Sequence, residues 1–92
     1  MRLLISNAAR KDLFAIYNYT RQTYGKVNAI NYLNKLDNAM NLIVTFPKIA
    51  KLRSEIIPPV RILPIEEHLL IYRELELDTI ELLRVRHKRE DW

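Results

Sequence analysis

An α+β fold is predicted: an N-terminal strand, an antiparallel helical hairpin, then a three-stranded antiparallel sheet. Three observations carry that reading. Apolar residues recur every three or four positions as far as Phe46, which is the period of an amphipathic helix. From Val60 onward they change to partial alternation in runs rich in Ile, Leu, Val and Tyr, the period of a strand. The single glycine, Gly25, divides the helical half in two.

The elements follow in order. Met1–Ile5 holds the short apolar run Leu3-Leu4-Ile5, too brief for a helix and suited to a strand. Ser6 or Asn7 then caps a helix, since either side-chain oxygen reaches the free N–H groups of a first turn. Ala9, Leu13, Ile16, Tyr17, Thr20 and Tyr24 form one face of that helix, with Arg10, Lys11, Asn18 and Gln22 opposite or beside it. Gly25 supplies the left-handed residue that ends it without steric cost. A second helix runs from about Lys26 to Phe46 on a stripe of Ile30, Leu33, Leu36, Met40, Ile43 and Val44, widened by Ala29, Tyr32, Ala39 and Phe46. Pro47 closes it, because proline disfavours helical geometry in the residue before. With Gly25 as the connector, the helices fold back on each other. Asn28, Asn31, Asn34, Asn38 and Asn41 line another face, either as a solvated surface or as a binding stripe.

Pro47–Pro59 reads as an irregular basic segment bounded by prolines. Three strands follow at Val60–Ile65, His68–Leu75 and Thr79–His87, joined by turns at Glu66-Glu67 and Glu76–Asp78. Connections this short make the neighbours antiparallel. In the last strand Ile80 and Leu82 point one way, Leu83 and Val85 the other. Burial on both faces, or a bulge, accounts for that pattern.

Composition bounds the function. The 92 residues leave room for one compact domain, 1–92, whose folding hides only roughly 60–65% of the chain's surface. Hydrophobic residues at 49% and charged residues at 28% fit a globular protein rather than a disordered one. With no cysteine, neither a disulfide framework nor a thiolate metal site is available. Apolar runs fall far short of the ~20 residues that span a membrane. Arg10, Lys11 and Asp12 interrupt the place where a secretory signal would be apolar. A cytoplasmic location is expected.

Fifteen Lys and Arg against eleven Asp and Glu give a net charge of +4. Lys48, Lys51, Arg53 and Arg61 share their stretch with Glu55 alone, and Arg84, Arg86, His87, Lys88 and Arg89 crowd the end of the chain. Acidic residues gather in 66–81. A polyanion or an acidic protein segment suits such a distribution, as does a plain solvated surface.

Several chemistries are excluded. Acyl transfer needs an activated Ser or Cys, and Ser6 and Ser54 stand in no such context. His68 and His87 lack the further ligands that zinc requires, so no metal is expected. One glycine cannot build a phosphate loop, and no cofactor is expected. The carboxylate pairs Glu66-Glu67, Glu74/Glu76 and Glu90-Asp91 suit turns and solvent faces better than a hydrolytic dyad. Arg61, Tyr72, Arg73, Arg84, Arg86 and His87 remain, spread over three neighbouring strands. They admit a metal-independent ribonuclease, with His87 as acid or base and arginines on the phosphorane. They equally admit a static electropositive surface, or half-buried strand residues at His87 and Tyr72.

Ala9-x-x-Asp12-Leu13-x-x-Ile16-x-x-Tyr19 and Ala29-x-x-Tyr32-x-x-x-Leu36 run through the helical half. Pro47, Pro59-Val60-Arg61, His68-Leu69-Leu70-Ile71-Tyr72-Arg73 and Ile80 through Asp91, closing on His87-Lys88-Arg89-x-Asp91, follow in the strand half. In this order the patterns resemble the ParE-type toxins of the wider RelE/ParE superfamily. Ala50 stands where family members often carry glycine, which touches the loop path and not the fold.

The resemblance implies the toxin half of a type II toxin–antitoxin pair. ParE-like members poison DNA gyrase, whereas RelE-like members cleave mRNA on the ribosome and usually place a tyrosine at or beside the C-terminal histidine. Here Lys88-Arg89 follow His87, and no tyrosine lies after Tyr72. Gyrase poisoning is therefore the expectation, with no catalytic residues; the nuclease alternative would use Arg61, Arg84 and His87. A cognate ParD-like antitoxin is expected to wrap the hairpin and sheet in a hetero-oligomer, its acidic residues meeting Arg61, Tyr72, Arg73 and Arg84. Surplus apolar width on both helices fits such an interface. Arg86, His87, Lys88, Arg89 and Trp92 are the expected target contacts.

Overall fold

The structure, a computed structural model, describes residues 1–90. They form β1 (Arg2–Ile5), α1 (Asn7–Tyr24), α2 (Lys26–Thr45), β2 (Leu52–Arg53), β3 (Val60–Ile65), β4 (His68–Leu75) and β5 (Thr79–His87). Ser6 caps α1, its hydroxyl accepting the Ala9 N–H at 3.0 Å. Gly25, at φ 93°, ends α1 and starts α2 with no intervening loop. That left-handed backbone is open to glycine and strained for other residues. All five asparagines of the α2 stripe are exposed.

The sheet has five strands in the order β1-β5-β4-β3-β2. β3, β4 and β5 are antiparallel neighbours as their short turns require. The sheet extends the expected three strands at both edges. β1 pairs with β5 in parallel, Leu3 opposite Ile80, so the sheet is mixed rather than wholly antiparallel. The Pro47–Pro59 segment, read as irregular, contributes the two-residue β2 against Arg61 and Val60 of β3. The pairing of β4 with β5 shifts register between Ile71 and Tyr72, which leaves Leu83 as an extra residue on β5. This bulge, on a strand flanked by two others, resolves the conflicting alternation of Leu82 and Leu83.

The core lies between the hairpin and one sheet face. Ala9 of α1 and Ala39, Met40 and Ile43 of α2 pack on Leu70, Tyr72, Ile80, Leu82 and Val85. Small residues at 9 and 39 let the helices lie close to the sheet. Past the end of β1, the edge of β5 is closed by side chains rather than by a strand. The Ser6 hydroxyl donates to Leu83 O at 2.7 Å, and the Asp12 carboxylate accepts the Val85 N–H at 2.9 Å.

Candidate functional site

The β4–β5 register sets His68 directly opposite His87. Their rings meet edge to face, with centroids 5.3 Å apart. From α2, the Tyr32 hydroxyl stands 2.6 Å from His68 Nδ1, and it accepts the Glu67 N–H at 3.2 Å. The Arg89 N–H donates to His87 Nδ1 at 3.1 Å. This cluster closes one end of an open groove of about 1210 Å³, whose helical walls include Tyr19 and Tyr24 of α1 and Asn31 and Lys35 of α2.

Charges around the cluster are matched in pairs. Lys88 Nζ lies 3.2 Å from Glu67 Oε2, and Lys35 Nζ lies 3.7 Å from Glu66. The Lys88 hydrogen bond, then its charge, holds the Glu67 carboxyl below its ordinary value. Burial, and next the neighbouring His87, lowers His68. Burial raises Tyr32, and the Glu67 and Glu66 charges add to that against the opposing hydrogen bond from the Glu67 N–H. At neutral pH the pair is thus a protonated phenol against a neutral imidazole.

The arginines singled out from the sequence occupy neighbouring strands but separate faces. Alternation along β4 and β5 puts Tyr72 and His87 on the helix-covered face, and Arg73, Arg84 and Arg86 on the other. Each arginine has a carboxylate. Arg84 grips Asp12 with Nε at 2.8 Å and Nη2 at 2.9 Å. Arg73 Nη2 lies 2.8 Å from Glu81. Arg61 Nε reaches Glu74 at 2.8 Å while its Nη1 donates to Ala50 O at 2.7 Å, tying the 47–59 segment to the sheet. Arg86 pairs with Glu90. Tyr72 is fully buried, and its hydroxyl donates to Pro47 O at 2.7 Å. Lys88 and Arg89 are exposed, and Trp92, with Asp91, lies outside the described residues.

Tyr32, Glu67 and His68 were not foreseen as a group. The signal for His68 was nonetheless present. Counting outward along the hairpin from the Leu75–Thr79 pair brings Arg86 opposite His68, and the bulge turns that neighbour into His87. Among the described residues no group of three or more His, Cys, Asp or Glu side chains converges to hold a metal ion. Large apolar side chains stay exposed on the hairpin and beyond it: Phe14, Tyr19, Tyr24, Val27, Ile30 and Phe46.

The fold is a helical hairpin on one face of a five-stranded mixed sheet. A chain of the chromosomal ParDE toxin–antitoxin system from P. aeruginosa shares it at TM-score 0.80 and 22% identity, over 95% of each chain. In sequence, residues 3–92 match the family described as ParE toxin of type II toxin-antitoxin system, parDE. Two proteins named Toxin ParE1, from Mycobacterium tuberculosis strains CDC 1551 / Oshkosh and ATCC 25618 / H37Rv, are each 36% identical over 90 residues. Those alignments cover 98% of this chain and 92% of each relative. The chain belongs to the ParE toxin family of type II toxin–antitoxin systems.

Proposed function

We propose that this toxin acts on DNA gyrase, holding the enzyme in its cleaved-DNA state, and that a cognate ParD-like antitoxin neutralises it in a cytoplasmic hetero-oligomer. The engagement of Arg61 and Arg84 carries the choice over mRNA cleavage. A metal-independent nuclease needs its cations converging on one developing phosphorane. Arg84 is instead held at two points by Asp12, and Arg61 by Glu74 and Ala50 O. Arg61 sits opposite Tyr72, well along β4 from the His68–His87 pair.

Poisoning asks for no bond chemistry from the toxin. It asks for tighter binding to the cleaved complex than to the religated one, since a ligand shifts an equilibrium only by its differential affinity. Arg86, His87, Lys88 and Arg89, continuing to Trp92, are the proposed contact. Terminal tryptophan beside arginines has the composition of an interface hot spot. For the antitoxin, acidic residues exchanging with Glu74 would engage Arg61 beside Tyr72 on one face of the sheet, and others exchanging with Glu81 and Asp12 would engage Arg73 and Arg84 on the other. Complementary charge of this kind chiefly sets register and association rate. Exposed Phe14, Val27 and Ile30 offer the apolar part of the interface.

Supercoiled plasmid incubated with gyrase and this toxin should yield linear DNA after protease treatment. Normal religation at high toxin excess overturns the reading, and immediate translation arrest on induction selects the ribosome instead.

A further inference from the structure

We propose that His68 and His87 form a proton-operated latch, which holds the β3–β4 turn and the C-terminal turn 88–90 together and onto α2. Proton uptake by the pair releases both turns.

The hydrogen-bond directions carry this. A neutral imidazole has one acceptor nitrogen, and an imidazolium has none. The Tyr32 hydroxyl already accepts the Glu67 N–H, so its own hydrogen is free for His68 Nδ1. At His87 the Nδ1 atom faces a backbone donor, the Arg89 N–H. Both rings are therefore wired through Nδ1 as acceptors. A proton on His87 Nδ1 sets two donors face to face and expels the Arg89 amide. A proton on His68 Nδ1 reverses that bond, so the Tyr32 oxygen, already holding the Glu67 N–H, must turn its own hydrogen away and accept a second, charged donor. With the rings in contact at 5.3 Å, a second positive charge meets the first.

Glu67 joins the parts. Its N–H bonds Tyr32 of α2, its carbonyl accepts the Lys88 N–H at 2.9 Å, and its carboxylate takes Lys88 Nζ. The same carboxylate stands 4.0 Å from His87 Nε2. At the end of the turn, the Glu90 carboxylate accepts the His87 N–H at 3.0 Å.

The surrounding charges leave the imidazolium poorly compensated. On the turns, Glu66 faces Lys35 of α2 and Glu67 faces Lys88. Glu90 is paired with Arg86 of β5. Each nearby carboxylate is thus already matched. Arg89 adds a cation without an ion pair among the described residues, and α1 lines the groove with the phenols of Tyr19 and Tyr24 and with no carboxylate.

The sign follows. His68 is lowered from 6.5 by burial and by His87, so the latch contributes fully above about 6.5. It is lost as pH falls through the folded-state value of His68. Glu67, lowered from its ordinary value, keeps its charge throughout that window. The latch rests on geometry alone. Its consequence, that acid frees the segment contacting the target, rests on the gyrase reading above.

The test uses the free full chain, without gyrase or antitoxin, so the latch and the target reading fail separately. NMR follows the His68 ring and the exchange of the Glu67 and Arg89 amides between pH about 7.5 and 5, spanning the ordinary histidine range. As pH falls from about 6.5 to the His68 midpoint, protection of both amides should fall, by up to about tenfold per pH unit, and level off below it, after correction for intrinsic exchange. The Val85 amide, held by Asp12, should stay protected over the same range. In Tyr32→Phe, the Glu67 amide should lose protection already at neutral pH, while the Arg89 amide keeps its acid response. Amide protection at Glu67 and Arg89 that stays flat while His68 titrates overturns the latch. So does a His68 midpoint above its ordinary value.

Discussion

Asp12→Ala tests the fold at its most loaded side chain. One carboxylate accepts Arg84 Nε, Arg84 Nη2 and the Val85 N–H, at 2.8–2.9 Å. It thereby fastens α1 to the stretch of β5 that β1 leaves open. Hydrogen bonds to charged groups contribute about 1.5–3 kcal/mol each, whereas exposed ion pairs contribute about 0–1 kcal/mol. The Asp12 side chain is 15% exposed and that of Arg84 34%, between those limits. Removing the carboxylate also leaves the Val85 amide and the Arg84 guanidinium without their partner. A loss of about 2–4 kcal/mol is expected in urea titration. At about 4–8 °C per kcal/mol for a domain this size, the melt should drop by at least about 8 °C. Asp12→Asn keeps an acceptor for Val85 and should lose less. Burial alone would raise the Asp12 carboxyl, but the Arg84 and Val85 hydrogen bonds with the Arg84 and Arg86 charges outweigh it and hold it below 3.8. Its stabilisation is therefore present above about 3.8 and lost as pH falls through the folded-state value. The gap between parent and Asp12→Asn should close in that acid range. A parent-like Asp12→Ala, within about 0.5 kcal/mol, would refute the reasoning.

Tyr72→Phe removes the hydroxyl that holds Pro47 O. It should cost about 1 kcal/mol and speed proteolysis within 47–59; unchanged cleavage there contradicts the tie. Truncation after Lys88 removes Arg89, Glu90, Asp91 and Trp92, and with Glu90 the partner of Arg86. It should abolish growth arrest, whereas His87→Gln weakens one contact by about 1 kcal/mol. Thermal melts at matched expression separate lost contact from lost stability. A nearly inactive His87→Gln beside a toxic truncated chain would sink the tail-contact proposal.

Elements were legible wherever one face of the chain had to be apolar. Gly25, Pro47 and the change of period at Val60 marked boundaries that local backbone chemistry enforces. The two outer strands were not legible as partners. β1 joins β5 across nearly the whole chain with no turn to announce it, and β2 has only two residues. For the arginines, residue type spoke clearly and destination did not. Arg84 and Asp12 meet because α1 lies along the edge of β5, a tertiary fact that no local spacing encodes. The bulge at Leu83 likewise decides which side chain faces His68, and one residue of register separates Arg86 from His87.

The same pairing relocates the surplus charge. On the strands, Arg61, Arg73, Arg84 and Arg86 are each answered by an acid, so the net +4 is expressed elsewhere. Arg10 and Lys11 stand on the first turns of α1, Arg21 and Lys26 flank the hairpin tip, and Lys48 and Lys51 lie in the connecting segment. All are exposed. At the tip they flank Tyr24 and Val27, which are exposed by 62% and 72%. Aromatic and apolar surface rimmed by cations is the composition that an acidic, amphipathic segment recognises. An antitoxin would thus be steered first by the helices, where no internal pair has to open. The strand arginines would engage later, at the expense of their pairs with Glu74, Glu81 and Asp12. Salt screens the first step strongly, because those charges are solvated, and the second step weakly, because Arg61 and Asp12 are largely withdrawn from solvent. Association rate should therefore fall with ionic strength more steeply than dissociation rate rises.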